Sequence, residues 1–170
     1  MAGKVAKLAY NLAHYINTAG AESPEEYNLM SVFTSINESP NAQTEETQYT
    51  VNKSKSTDTT GYQTQWPFEG VLHANEKTVE FLESVGKEQK LGADAQTDLV
   101  VVELDKPAGM EKANTFYARK CHVGIEITDL PNEAGEKRKI SGNLNALEDI
   151  IVGEFNTQTK KFTPASEVIL

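Results

Sequence analysis

The sequence predicts a mainly β fold: an antiparallel β-sandwich or partly closed barrel, with one flanking α-helix and a long β-hairpin arm. Three observations predict it. Short stretches rich in β-branched and aromatic residues recur along the chain, separated by clusters of Asn, Asp, Gly and Pro. The clearest helical spacing of apolar residues falls in residues 75–91. Between the two apolar-patterned halves lies a polar run, residues 39–65, with seven threonines between Thr44 and Thr64 and with Tyr49, Val51 and Tyr62 among them. That composition favours strands, yet it is too poor in apolar residues to cover a core, so this segment needs other chains to pair with. At 170 residues the chain fits a single domain.

The elements follow in order. Residues 7–18 fit a strand (Leu8, Tyr10, Leu12, His14, Ile16) and also a helical stripe (Val5, Leu8, Leu12, Tyr15, Ile16). The β-branched and aromatic share, with a turn at residues 20–24, favours the strand. Residues 29–36 read as one half-buried strand closed by Glu38, Ser39 and Pro40. After the polar run, residues 68–73 resume a short strand, and Asn75 supplies a helix N-cap with Glu76 in the first turn. Val79, Leu82 and Val85 form the stripe, which stops at Gly86 or runs on to Leu91 with Gly92 as the left-handed cap. Residues 99–104 are nearly continuously apolar, as expected of a strand buried on both faces or lying beneath the helix. A loop at 105–113 leads to a hairpin of residues 115–128 and 138–147, in which Ile140, Gly142, Leu144 and Ala146 share a face. Residues 150–155 and 160–163 form a last hairpin around an Asn-containing turn.

Charge and motifs narrow the function. Sixteen basic against 25 acidic residues give a net charge of −9, which argues against binding that relies on neutralising phosphates. No stretch is apolar for the roughly 18 to 20 residues a membrane-spanning helix needs. Lys4 and Lys7 before Leu8, with Ala19, Gly20 and Ala21 beyond, imitate a secretion signal that Asn11 and His14 interrupt. The lone Cys121 alternates with Val123, Ile125 and Ile127 and is expected in the core. No phosphate-binding loop, nucleophile elbow, HExxH or CxxC occurs, so no catalytic, metal or cofactor site is predicted. His14, His73 and His122 are too far apart to form a local metal motif. Glu45 with Glu46 and Glu148 with Asp149 are adjacent acids, which on a strand point to opposite faces and do not converge on one substrate bond. Lys137, Arg138 and Lys139 form the one basic cluster, which faces either an acidic surface of a neighbouring subunit or water alone. Trp66 and Phe68 stand where the polar run re-enters the core and are read as its anchor.

The order of elements resembles the tail tube proteins (major tail proteins) of long-tailed bacteriophages. The resemblance rests on two N-terminal strands, the polar arm, Trp66-Pro67-Phe68-Glu69-Gly70, and the helix opened by Asn75-Glu76-Lys77. Residues 140–147, with Gly153-Glu154-Phe155-Asn156 and Thr159-Lys160-Lys161-Phe162-Thr163, carry most of it. It implies a non-enzymatic virion protein that assembles into stacked hexameric rings, with tape-measure and tail-terminator proteins as partners and DNA passing through the lumen without specific binding. The protein is then expected in the virion tail, with assembly in the host cytoplasm and no membrane contact. The arm residues expected to reach a neighbour are Thr44, Thr47, Tyr49, Val51, Lys53, Lys55, Thr60 and Tyr62. A tube of a contractile injection or secretion system is a related reading. From a different class comes a monomeric carbohydrate-binding module with Trp66, Tyr49 and Tyr62 as its aromatic platform. A third is a hydrolase with a long-range site drawn from His14, His73 and His122.

Overall fold

Leu99, Val100, Val101 and Val102 are each at most 2% exposed, so the strand that carries them is covered on both faces. The computed structural model describes residues 3–20 and 24–165. Ala21 and the apolar end Val168-Ile169-Leu170, read from sequence as a segment that docks on a neighbour or frays, lie outside the described residues. A 3-10 turn at Ala9–Asn11 leads into β1 (Leu12–Asn17), so the predicted strand at 7–18 holds only in its second half. There follow β2 (Tyr27–Leu29), β3 (Phe33–Ile36), β4 (Ala42–Thr47), β5 (Ser56–Tyr62), β6 (Gln65–Val71) and the helix α1 (Lys77–Lys87). The chain continues through β7 (Gln96–Pro107), β8 (Thr115–Asp129), β9 (Lys139–Ala146), β10 (Ile151–Asn156) and β11 (Lys161–Pro164).

Nine strands form one antiparallel sheet in the order β2-β1-β7-β8-β9-β6-β3. The long β8 shares its remaining edge between two partners, β10 along residues 115–120 and β9 along residues 123–129, and β11 pairs with β10. The two end strands of this path, β2 and β3, are joined by Met30, Ser31 and Val32 alone. Three residues reach little more than about 14 Å between flanking Cα atoms, so the sheet curls until its ends are neighbours. It is not closed into a barrel, because β2 and β3 do not pair. Instead the short link ties the two ends: the Met30 N–H donates to the His14 carbonyl and the Val71 N–H to the Val32 carbonyl. The single strand expected at 29–36 is therefore two, because Met30 turns inward to 6% exposure and the chain changes from one end of the sheet to the other.

The curl encloses the main core. Leu99 and Val101 meet Ile16, Trp66, Phe68, Cys121, Val123, Ile140 and Leu144 there, capped by Val79, Leu82 and Val85 of α1. On the outer face Val100 and Val102 pack with Ala13, Tyr15, Tyr27, Ala118 and Phe155. The Phe155 ring lies 4.6 Å from that of Tyr15 and 5.9 Å, edge-on, from that of Tyr27. Phe155 thus folds the β10–β11 hairpin over β1 and β2.

The helix is shorter than the window 75–91 and its ends differ from expectation. Glu76, not Asn75, is the N-cap; Asn75 takes a left-handed φ of 63° and its N–H donates to the Glu80 carboxylate. Gly86 lies inside the helix, where a Cβ would meet the Ile127 side chain at 2.8 Å, so it serves close packing on β8. Termination falls on Gln89, which is left-handed at φ 51°, with the Lys90 N–H bonded to the Val85 carbonyl and the Gln89 N–H to the Gly86 carbonyl. This is a Schellman closure with a non-glycine residue in the strained position.

Two substitutions follow with opposite signs. Gln89→Gly relieves the left-handed strain and raises stability by about 1 kcal/mol. Gly142→Ala places a Cβ 2.1 Å from the Glu126 carbonyl oxygen and lowers stability by about 3 kcal/mol or more. Urea unfolding midpoints at constant m-value check both.

Candidate functional site: an exposed hairpin arm and its root

The polar run folds as a hairpin that leaves the sheet. β4 and β5 pair only with each other, over six positions from Ala42 opposite Tyr62 to Thr47 opposite Ser56. A bulge makes Thr60 the extra residue, its hydroxyl donating to the Gln43 carbonyl. One face carries Thr44 opposite Thr59 and Glu46 opposite Thr57, with Lys55 ion-paired to Glu46 at 3.2 Å. The other carries Thr47 opposite Ser56 and Glu45 opposite Asp58. Like charges directly opposite destabilise a pair of strands, and among the described residues no cation bridges these two. Tyr49, Val51 and Lys53 lie in the tip between the strands; Tyr49 is 61% and Val51 89% exposed.

The root is tightly built. β3 runs on past Asn37, whose N–H donates to the Pro67 carbonyl, to Ser39, which exchanges two backbone hydrogen bonds with Gln65 at 2.8 and 2.9 Å. The chain then kinks at Pro40 and Asn41, where Asn41 adopts φ 49° and its side-chain amide donates to the Gln63 carbonyl. β3–β4 and β5–β6 are thus the two limbs of one kinked hairpin. Glu38 receives both arms of the Arg119 guanidinium, at 2.8 and 3.2 Å, which joins the arm root to β8. The register places His14, Val101 and Arg119 in one row across β1, β7 and β8. His14 is buried with its Nε2 unpartnered, and burial holds its pKa down to about 4; Glu38 partly opposes this and Arg119 adds to it.

The other predicted residues are not assembled into a site. Trp66 and Phe68, 1% and 3% exposed, stand in the core on the strand that receives the returning limb of the arm. Trp66 therefore has no face for a sugar, and Tyr49 at the tip and Tyr62 at the root lie at opposite ends of the hairpin, so the carbohydrate platform does not form. In the basic cluster, Arg138 is paired to Glu83 of the helix at 3.1 Å, while Lys137 and Lys139 line a shallow groove with Glu69, Glu133 and Glu136. His122 lies on the face of β8 opposite to Arg119 and has Asp98 at 2.8 Å from Nδ1 and Gln96 at 3.2 Å from Nε2, so both ring nitrogens are engaged. His73 bonds the Val71 carbonyl in the open. The Cys121 thiol is buried as expected, and burial raises its pKa to about 11. No grouping of metal-binding side chains occurs among the described residues. The Glu38–Arg119 pair could not be read from sequence, because 81 positions separate its partners.

The buried His14 sets a pH dependence. Its folded pKa of about 4 lies below the ordinary 6.5, so on acidification the unfolded chain takes up the proton first. Stability is unaffected by this group above pH 6.5, falls by about 3 kcal/mol between pH 6.5 and 4, and levels off below. Unfolding measured between pH 7 and 4.5 is expected to show a shallower decline for His14→Leu than for the parent chain.

No protein-family model matches the sequence, and no curated protein does either. Solved structures do resemble the fold. The SPP1 tail tube, determined by solid-state NMR and cryo-EM, superposes with a TM-score of 0.65 at 10% identity over 85% of this chain and 77% of that one. The tail of an empty GTA particle, refined with C6 symmetry, gives 0.62 at 11% identity over 85% of this chain and 97% of that one. A sheath/tube terminator structure of the extracellular contractile injection system PVC gives 0.55 at 10% identity over 89% and 99%. The chain has the fold found in the SPP1 tail tube, in the GTA tail and in this contractile injection system.

Proposed function

We propose that this protein is the structural subunit of a bacteriophage tail tube, which self-assembles into stacked rings that form the conduit for DNA ejection. One observation carries the reading: a likeness to the SPP1 tail tube over 85% of the chain, in a molecule whose arm is a fully formed hairpin with no core of its own to cover it. An unpaired hairpin and open strand edges are liabilities in a monomer and adhesive surfaces in an assembly with closed symmetry. The C6 symmetry of the GTA tail supports six subunits per ring. Six copies at −9 give a ring of roughly −54, and the share of that charge facing the lumen keeps DNA from adhering. The further partners are other tail proteins, among them a tape measure and a terminator. The residence is the virion tail after assembly in the host cytoplasm. No catalysis is assigned. The likeness to the contractile PVC structure supports a tube of a contractile device as the second reading.

Negative-stain microscopy of the purified protein at high concentration is expected to show six-fold rings or tubes. A particle that stays monomeric at every concentration and salt overturns the reading. Residues Ser39 and Gln65 are hydrogen-bonded neighbours and the Thr64 carbonyl accepts from the Ala146 N–H, so residues 41–63 can be replaced by a Gly-Gly turn without opening the sheet. That variant is expected to fold, stay soluble and fail to polymerise. Tubes formed by it would remove the arm from the assembly contact.

A further inference from the structure

The arm ends in three exposed side chains of defined chemistry: an aromatic ring (Tyr49), a branched aliphatic (Val51) and a cation (Lys53) without an ion pair among the described residues. At its root lies a surface groove of the matching kind. Tyr62, Leu147 and Ile150 give it apolar walls, with Tyr62 66% and Leu147 49% exposed. Glu148 and Asp149 stand at its rim, both exposed and neither in an ion pair among the described residues. The other charges there, Glu38 and Arg119, satisfy each other.

A chain cannot fill its own groove with its own tip. The cross-strand pairs from Ala42 opposite Tyr62 to Thr47 opposite Ser56 keep the hairpin extended. Five steps at 3.4 Å hold the tip about 17 Å or more from the root. The occupant with the right chemistry is therefore the tip of another copy. We propose that Tyr49, Val51 and Lys53 of one subunit seat in the groove at the arm root of the next, with Lys53 between Glu148 and Asp149 and the two apolar side chains on Leu147, Ile150 and Tyr62. This rests on the self-assembly reading above and names the surface that receives the arm. Tip and groove are different surfaces, so the contact is head-to-tail: every copy offers one tip and one groove, and the contact propagates into a ring or filament rather than closing as a dimer. The apolar side chains supply the buried area and the lysine fixes the register.

Charge exchange tests the contact on the full chain. Lys53→Glu alone and Glu148→Lys with Asp149→Lys are each expected to raise the protein concentration needed for assembly by about tenfold or more, without changing the melting of the subunit. All three changes together are expected to restore assembly to within about threefold of the parent. A second measurement mixes isotopically light and heavy parent protein and applies a zero-length carbodiimide cross-linker. The expected product joins a light peptide containing Lys53 to a heavy one containing Glu148 or Asp149. Normal tubes from both charge variants, or tubes that yield no such mixed cross-link, overturn this inference and leave the tube reading standing. A parent protein that forms no rings or tubes overturns both.

Discussion

A strand with no exposed face fixes the architecture. Because Leu99 and Val101 point one way and Val100 and Val102 the other, β7 requires apolar cover on both sides. Full burial of side chains of this size stabilises by roughly 1.5–3 kcal/mol each, and that gain is lost on any face left open to water. The curl of the sheet with α1 supplies the inner cover, and the β10–β11 hairpin with Tyr15 and Tyr27 supplies the outer one. The branching of β8 between β10 and β9 follows: a strand whose one edge is held by β7 from Phe116 to Gly124 sends its other edge to two partners, and both layers are built.

Electrostatics ties the arm to this frame. The bidentate Glu38–Arg119 pair joins the arm root to β8 at partial exposure, where a fork-to-fork geometry compensates desolvation better than a single contact does. The nearby His14 ring stays neutral because water is excluded from it. The groups that elsewhere do chemistry are occupied structurally: both His122 nitrogens are hydrogen-bonded, and the Cys121 thiol is buried and far from ionisation at neutral pH.

Local signals were readable in the sequence and long-range ones were not. The two-sided apolar run at β7, the stripe Val79, Leu82 and Val85, and the shared face of Ile140, Gly142 and Leu144 each express a period that the chain itself carries. The arm was legible from its threonines and its poverty in core residues. The break at Met30 was not, because residues on either side of it fit one alternating strand, and only the curl of the whole sheet sends them to different ends. Gln89 in place of a glycine cap hid the end of the helix, since it violates the local rule that would mark it. The groove at the arm root is assembled from the segments around Glu38, Tyr62, Arg119 and Leu147, which no sequence window brings together.

The continuity of the kinked hairpin has a mechanical consequence. Because both limbs of the arm continue beyond the kink at Pro40 and Asn41 into β3 and β6, tension applied at the tip is passed to the sheet along those two strands. β6 is paired with β9 over seven consecutive positions, from Gln65 to Val71. A pull along that axis loads those positions in shear and together, whereas a force across the strands would peel them one at a time. The ladder beneath the root thus resists a lengthwise pull on the arm as a unit, in the manner of a clamp.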